Sequence, residues 1–288
     1  MLIGLVIFGA IIFGFIGLLI CIPIFDIDIS TLQARMSDGS IENINFLKVF
    51  NLITTFGAWV VSAYALIRIR QFSAKTTWQL SSPQPSYTWI AIPFVFISML
   101  FASAFLIEVN GAITIPESLK QFSSKANKQL LENMLMMNGP KDLIVNILIV
   151  GLAPALFEEI FFRGTLQKLA IHFFDHAHIG IFITAFIFTA VHLNAEQFIP
   201  MLFLALVLGY TCYYTKSIWP SIILHFFNNS FAVIINYYKD KSTAAQQLVE
   251  DSYQPPVAIV VISFIAIGAF IYLIAKHYHK QKSLITNE

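Results

Sequence analysis

The sequence predicts an all-α, polytopic membrane protein of about eight transmembrane helices with amphipathic interfacial helices beside them. Three observations carry that expectation. Of the 288 residues 57% are hydrophobic and only 11% charged, with a mean hydropathy of +0.74, outside the range of an ordinary soluble domain. Apolar stretches near the roughly 20 residues needed to cross a hydrocarbon core of about 30 Å recur along the chain. The 28 phenylalanines and the net charge of +1 suit lipid-facing helices and give no basic field for nucleic acid, which is not an expected partner.

The expected spans run approximately from Met1 to Phe25, Phe46 to Ile67, Tyr87 to Ile107, Leu143 to Phe157, His178 to Leu193, Phe198 to Tyr214, Ile218 to Tyr237 and Val257 to Ala275. The first has no basic n-region or small-residue cleavage site and outruns a signal h-region, so it reads as a retained helix. Two further segments have amphipathic spacing. Pro116 to Met137 sets Leu119, Phe122, Ala126, Leu130, Met134 and Met137 among Lys120, Lys125, Lys128 and Glu132, a surface helix on the outer side. Thr165 to Asp175 sets Leu166, Leu169, Ala170, Phe173 and Phe174 against Gln167, Lys168 and Asp175, a cytoplasmic interfacial helix. With no repeat or long linker, residues 1–288 read as one integral domain.

Lys and Arg in short loops orient the chain. With the chain expected in the plasma (inner) membrane and both termini in the cytoplasm, Arg68, Arg70, Lys75, Arg163, Lys168, Lys216, Lys276, Lys280 and Lys282 lie inside. Asp26, Asp28, Asp38, Glu42, Asp240, Glu250 and Asp251 lie outside, with Arg35, Lys239, Lys241 and the lysines of the long third loop against the trend. Cys21 and Cys212 sit in apolar runs without an evident polar partner, which suits small hydrophobes rather than a disulfide or a nucleophile.

The polar residues inside spans carry the functional argument, because a charge at mid-membrane costs roughly 2.5–3.5 kcal/mol even on insertion scales. Phe157-Glu158-Glu159-Ile160-Phe161-Phe162-Arg163 puts two carboxylates and a guanidinium among phenylalanines. Glu159 and Arg163 are four apart and pair on one helix face; Glu158 points elsewhere and is left to act as a general base. The bland alternative is a snorkelling cluster at a helix end. Phe188 and His192 share a face, as do His225 and Asn229; singly, each also suits an interfacial residue or a helix–helix hydrogen bond. Together they supply what hydrolysis inside a bilayer needs. Glu158 takes the proton of a water, His192 orients that water, and His225 with Asn229 donates to the oxyanion.

Glu-Glu-x-x-x-Arg at 158 to 163, Phe-x-x-x-His at 188 to 192 and His-x-x-x-Asn at 225 to 229 resemble, in order and spacing, the CPBP intramembrane proteases, the family of CAAX prenyl endoproteases, bacteriocin-processing enzymes and Abi proteins. The resemblance covers about residues 143–240. It implies a glutamate-dependent endopeptidase acting on a peptide or lipidated protein at the membrane, with Glu158 as base, His192, His225 and Asn229 as its partners, and Glu159 and Arg163 in support. Members have also been called metalloproteases. A zinc ion held by Glu158, His192 and His225 is therefore an alternative to a cofactor-free mechanism, although the chain has no His-Glu-x-x-His helix signature.

A second group, His172, Asp175, His176 and His178, reads as solvated residues rather than a metal site. One geometric conflict remains: with spans four and five joined by a cytoplasmic loop, Glu158 and His192 fall at opposite membrane faces, unless the fourth helix continues through Thr165 toward Leu169. Two other classes stay open: a catalytically silent immunity or scaffold protein, and a transporter, for which Gly209 and Pro220 supply little of the usual symmetric helix breaking.

Overall fold

The computed structural model describes residues 1–30, 32, 44–114, 131–249 and 253–286. The described residues form helices and no strands. Eight helices organise them: α1 (Leu2–Phe25), α2 (Ile44–Ile69), α3 (Thr88–Gly111), α4 (Pro140–Phe174), α5 (Ala177–Val191), α6 (Phe198–Thr215), α7 (Trp219–Tyr238) and α8 (Val257–Thr286). Six are long and apolar enough to cross a membrane: α1, α2, α3, α4, α8 and α6 counted from Ala195. At 15 residues α5 is apolar but short, and α7 is diluted by His225, Asn228, Asn229 and Asn236. Most of the expected surface helix from Pro116 to Met137 lies outside the described residues, as do Arg35, Asp38, Glu42, Glu250 and Asp251.

Burial in α1 is inverted relative to a soluble helix. Its buried positions are Gly9, Gly17 and Cys21, whereas Ile3, Ile7, Phe8, Ile11, Phe15 and Leu19 are exposed. Small residues allow close approach to α2 where hydrocarbon already solvates the large side chains. A Cβ on Gly9 would run into the Gly57 carbonyl and the Ser62 hydroxyl, and Ser62 donates to the Leu5 carbonyl at 2.7 Å. Behind this pair, Ile92, Val95 and Met99 of α3, Leu204 and Leu208 of α6, Leu224 of α7 and Ile267, Phe270 and Ile274 of α8 form the largest apolar cluster. A second cluster, with Ala63, Phe161, Phe162, Ala185, Phe188 and Ala205, encloses the acidic motif.

The segment from Thr165 to Asp175 is not a separate interfacial helix. It continues α4, which runs unbroken for 35 residues, because its polar groups find partners inside the protein. Thr165 Oγ1 donates to the Ile160 carbonyl at 3.1 Å and accepts from Trp78 Nε1 at 3.3 Å. Gln167 Nε2 donates to the Gly209 carbonyl at 3.1 Å. Two π-wound stretches, Ile147–Leu152 and Phe162–Leu166, bracket the α-helical turns that carry Glu158 and Glu159.

This continuity removes the conflict over depth. The chain reverses at Asp175, in the left-handed region at φ 50°, and His176 caps α5 by accepting from the Ile179 amide at 3.4 Å. Gly180 packs so closely on Ile171 that a side chain there would meet its backbone. Glu158 lies 17 residues before Asp175 and His192 lies 16 after His176. At about 1.5 Å per residue both stand roughly 25 Å from the turn, level with one another.

Gly9→Ala is expected to lower the thermal midpoint in detergent, at an overpacking cost of about 1–3 kcal/mol. Gly14→Ala, where an added Cβ meets nothing within 4 Å, should leave it unchanged. A thiol-reactive fluorogenic dye reads both, since Cys21 and Cys212 are free and buried.

Candidate active site

Helices α4, α5, α6 and α7 each contribute to one polar cluster in the apolar interior. Its centre is Glu159, 0% exposed. Arg163 Nη1 donates to Glu159 Oε1 at 2.8 Å, and His225 Nδ1 donates to the same oxygen at 3.0 Å. The guanidinium, 1% exposed, also donates from Nη2 to the Ala205 carbonyl at 3.1 Å and stacks over Phe188 with Cζ 4.7 Å from the ring centroid. Only arginine reaches all three at once, having a planar fork of donors and a flat cationic face.

Glu158, one residue earlier, turns to the other side and is 15% exposed. Its Oε2 stands 3.9 Å from His192 Nε2 and 3.9 Å from His225 Nε2. The hydrogen positions of both rings follow from what holds their other nitrogen. His192 Nδ1 lies 2.7 Å from the Phe188 carbonyl, and His225 Nδ1 faces the Glu159 carboxylate; both partners only accept, so Nδ1 carries the proton. A neutral ring then turns the Nε2 lone pair toward Glu158 in each case. Phe188 braces both imidazoles, at 4.6 Å from His192 and 5.8 Å from His225 between ring centroids. Asn229, one turn past His225 on α7, is half-buried.

The six residues singled out in the sequence thus come from α4, the C-terminal end of α5 and α7, and ion-pair contacts join five of them. The expected pairing of Glu159 with Arg163 is present, but Glu159 has a second partner, His225, which spacing within one helix cannot reveal. Sequence reasoning also missed Gln167, which follows Arg163 by four residues and docks on α6 one turn beyond Ala205. Cys212 does have a polar partner, Gln79 Oε1 at 3.4 Å. Away from the cluster His178 Nδ1 meets the Tyr210 hydroxyl at 3.0 Å, and among the described residues no group of three His, Cys, Asp or Glu side chains is arranged to hold a metal ion. The donor atoms of Glu158, His192 and His225 face one another but are not among such groups.

Asn110, at the C-terminal end of α3, is a further missed residue. Buried at 3% exposure, it donates from Nδ2 to the carbonyls of Ala195 (3.1 Å) and Glu196 (2.8 Å) and accepts from the Ile199 amide at 2.9 Å. It thereby holds the loop that follows His192, where Leu193 takes φ 50°, a conformation unfavourable to a residue with a Cβ. An asparagine at the end of an apolar run was its only signal in the sequence.

The fold and site define an α-helical integral membrane protein with a carboxylate–imidazole cluster buried between helices. Residues 140–231, about a third of the chain, match the family described as type II CAAX prenyl endopeptidase Rce1-like. The match contains every residue of the cluster and excludes α1, α2, α3 and α8. No curated protein and no solved structure matches the chain at a significant level.

Two outcomes follow from this geometry. Arg163→Met leaves Glu159 as an uncompensated buried charge and should cost about 3–5 kcal/mol of stability; adding Glu159→Gln should restore part of it, as thermal unfolding will read. Asn110→Ala strips partners from three backbone groups and should speed amide hydrogen exchange in residues 193–199, Ile199 above all, without a matching change in α8.

Proposed function

We propose that this protein is an intramembrane endopeptidase in which Glu158 activates a water for attack on a peptide bond presented at the membrane. The observation that carries the reading is the pair of equal 3.9 Å separations between Glu158 Oε2 and the two Nε2 atoms. They are too long for direct hydrogen bonds. They suit a water that sits about 2.8 Å from the carboxylate and from an imidazole nitrogen, at ordinary hydrogen-bond lengths. Such a water gives one O–H to Glu158 and the other to a ring lone pair, and keeps an oxygen lone pair for the carbonyl carbon.

In the reaction the water oxygen bonds to the carbonyl carbon while Glu158 takes its proton. The tetrahedral oxyanion needs N–H donors. With Nδ1–H directed to Glu159, His225 turns Nε2 toward Glu158 as His192 does, so it is placed on the water side and the Asn229 amide is the donor. Glu158 then passes its proton to the leaving nitrogen as the C–N bond breaks, giving a carboxylic acid and an amine with atoms and charge balanced. Glu159 and Arg163 do not react: they fix the His225 tautomer and orientation, the part a carboxylate plays behind a catalytic imidazole.

The family match supports a CAAX-type substrate, a C-terminal peptide on a prenylated cysteine, delivered laterally from lipid. The resemblance supports the 143–240 region as the catalytic core, and the Lys and Arg of the short loops support the orientation with both termini cytoplasmic. Glu158, His192 and His225 are not arranged as a three-ligand metal cluster, and water activation is assigned to the Glu158 carboxylate.

Cleavage of a fluorogenic prenylated CAAX peptide by purified protein tests the reading. Glu158→Gln should lose about 10²–10⁴-fold in kcat, the usual span for general acid–base catalysis, with an unchanged thermal midpoint, and a chelator should leave the wild type active. Equal cleavage by wild type and Glu158→Gln would sink the proposal; loss on chelation with recovery on adding zinc would move the activated water onto a metal. A wild type that cleaves no peptide, with Glu158→Gln tolerated in the cell, would favour a scaffold.

A further inference from the structure

The seam between α4 and α7 carries buried polar atoms beyond those that tie the catalytic cluster together. Asn146 is fully buried, and neither its Nδ2 nor its Oδ1 meets a partner; Ser230 Oγ is buried and likewise without one, as is Glu159 Oε2. Glu159 touches His225, and a side chain on Gly151 would strike Ser230 Oγ, so α4 and α7 run antiparallel. The seam passes from Glu158 and Glu159 through Gly151 and Ser230 toward the Pro140 end of α4. The π winding of Ile147–Leu152, with the Ala153 amide bonded back to the Leu148 carbonyl, sets residues five apart on one face, so Asn146 follows Gly151 by a single turn. On α7, Asn229 lies between Ser230 and His225.

A buried polar group without a hydrogen bond costs about 1–3 kcal/mol. Three such side chains on one seam make an expensive arrangement for a dry interior. Water is the ligand that resolves it, because it alone is small enough and both donates and accepts. We propose that the α4–α7 seam is a water-binding site, a file of internal waters held by Asn146 and Ser230 that reaches Glu158 and replenishes the water consumed there. The water site stands on the buried polar atoms alone; its role in turnover rests on the hydrolytic reading of Glu158.

Radiolytic hydroxyl-radical footprinting of the full chain in detergent tests this, because radicals formed from bound water mark the side chains beside it. The reporter is Phe226, whose ring comes within 3.6 Å of the place a Gly151 side chain would take. Its labelling should fall several-fold in Asn146→Leu/Ser230→Ala and stay at the wild-type level in Glu158→Gln. The double variant should also lose about tenfold in kcat with KM unchanged, the pattern of a defect in the chemical step rather than in binding. Should Asn146→Leu fail to fold, Ser230→Ala alone, one hydroxyl smaller, carries the same measurement. Equal labelling of Phe226 in wild type and variant, with a raised thermal midpoint for Asn146→Leu, would mean a dry seam and overturn the proposal. Reduced labelling in a protein that cleaves no peptide would keep the water site and remove the hydrolase; normal cleavage with unchanged labelling would do the reverse.

Discussion

Glu159 is a carboxylate with no exposure to solvent, and the surrounding architecture is built around one of its oxygens, Oε1. An isolated charge there would be prohibitive. Arg163 neutralises it from one turn along α4, but that guanidinium brings more donors than one carboxylate oxygen can use. The surplus goes to the Ala205 carbonyl of α6 and to the face of Phe188 on α5. His225 brings in α7 through the same oxygen. A single buried charge thus fixes the relative position of four helices, in an environment where apolar contact between helices has little advantage over contact with lipid.

Arg163 and Gln167 are four apart and donate to the carbonyls of Ala205 and Gly209, themselves four apart. The two helices are therefore in register over a full turn, through side chains on backbone rather than side chain on side chain. The π winding of Phe162–Leu166 lies within this contact. Such winding often marks functional sites because the extra residue per turn re-aims side chains. In α4 it accompanies a division of labour between neighbouring glutamates: one is buried in the brace, the other faces the two imidazoles.

What could be read in the sequence was whatever depends on one helix at a time. The helical class follows from composition and the length of apolar runs. Glu159 with Arg163 and Phe188 with His192 follow from four-residue spacing, and each is present. The bond between Glu159 and His225 joins residues 66 apart and leaves no periodic trace. The end of α4 was misread because Thr165, Gln167 and Lys168 look like the polar edge of a membrane; Thr165 and Gln167 have their partners on Trp78 and α6, which only the tertiary fold supplies. Asn110 failed to stand out for a similar reason, since one asparagine at a helix end is unremarkable until the loop it holds is known.

The shortness of α5 then acquires a meaning. Fifteen residues rise only about 22 Å, less than the roughly 30 Å of a hydrocarbon core, so the helix ends within the depth that α4 and α6 span. Irregular backbone at such depth is tolerated where it is buried in protein or lines a watery cavity. The end of α5 meets both conditions in part. Asn110 takes the carbonyls of Ala195 and Glu196 and the amide of Ile199, while the His192 side chain keeps 32% of its surface open beside Glu158. A helix that reached the far interface would carry that histidine out of reach of the carboxylate; one that stops here, with α3 closing its loose end, leaves the imidazole at the level of Glu158 and a polar opening in the middle of an apolar protein.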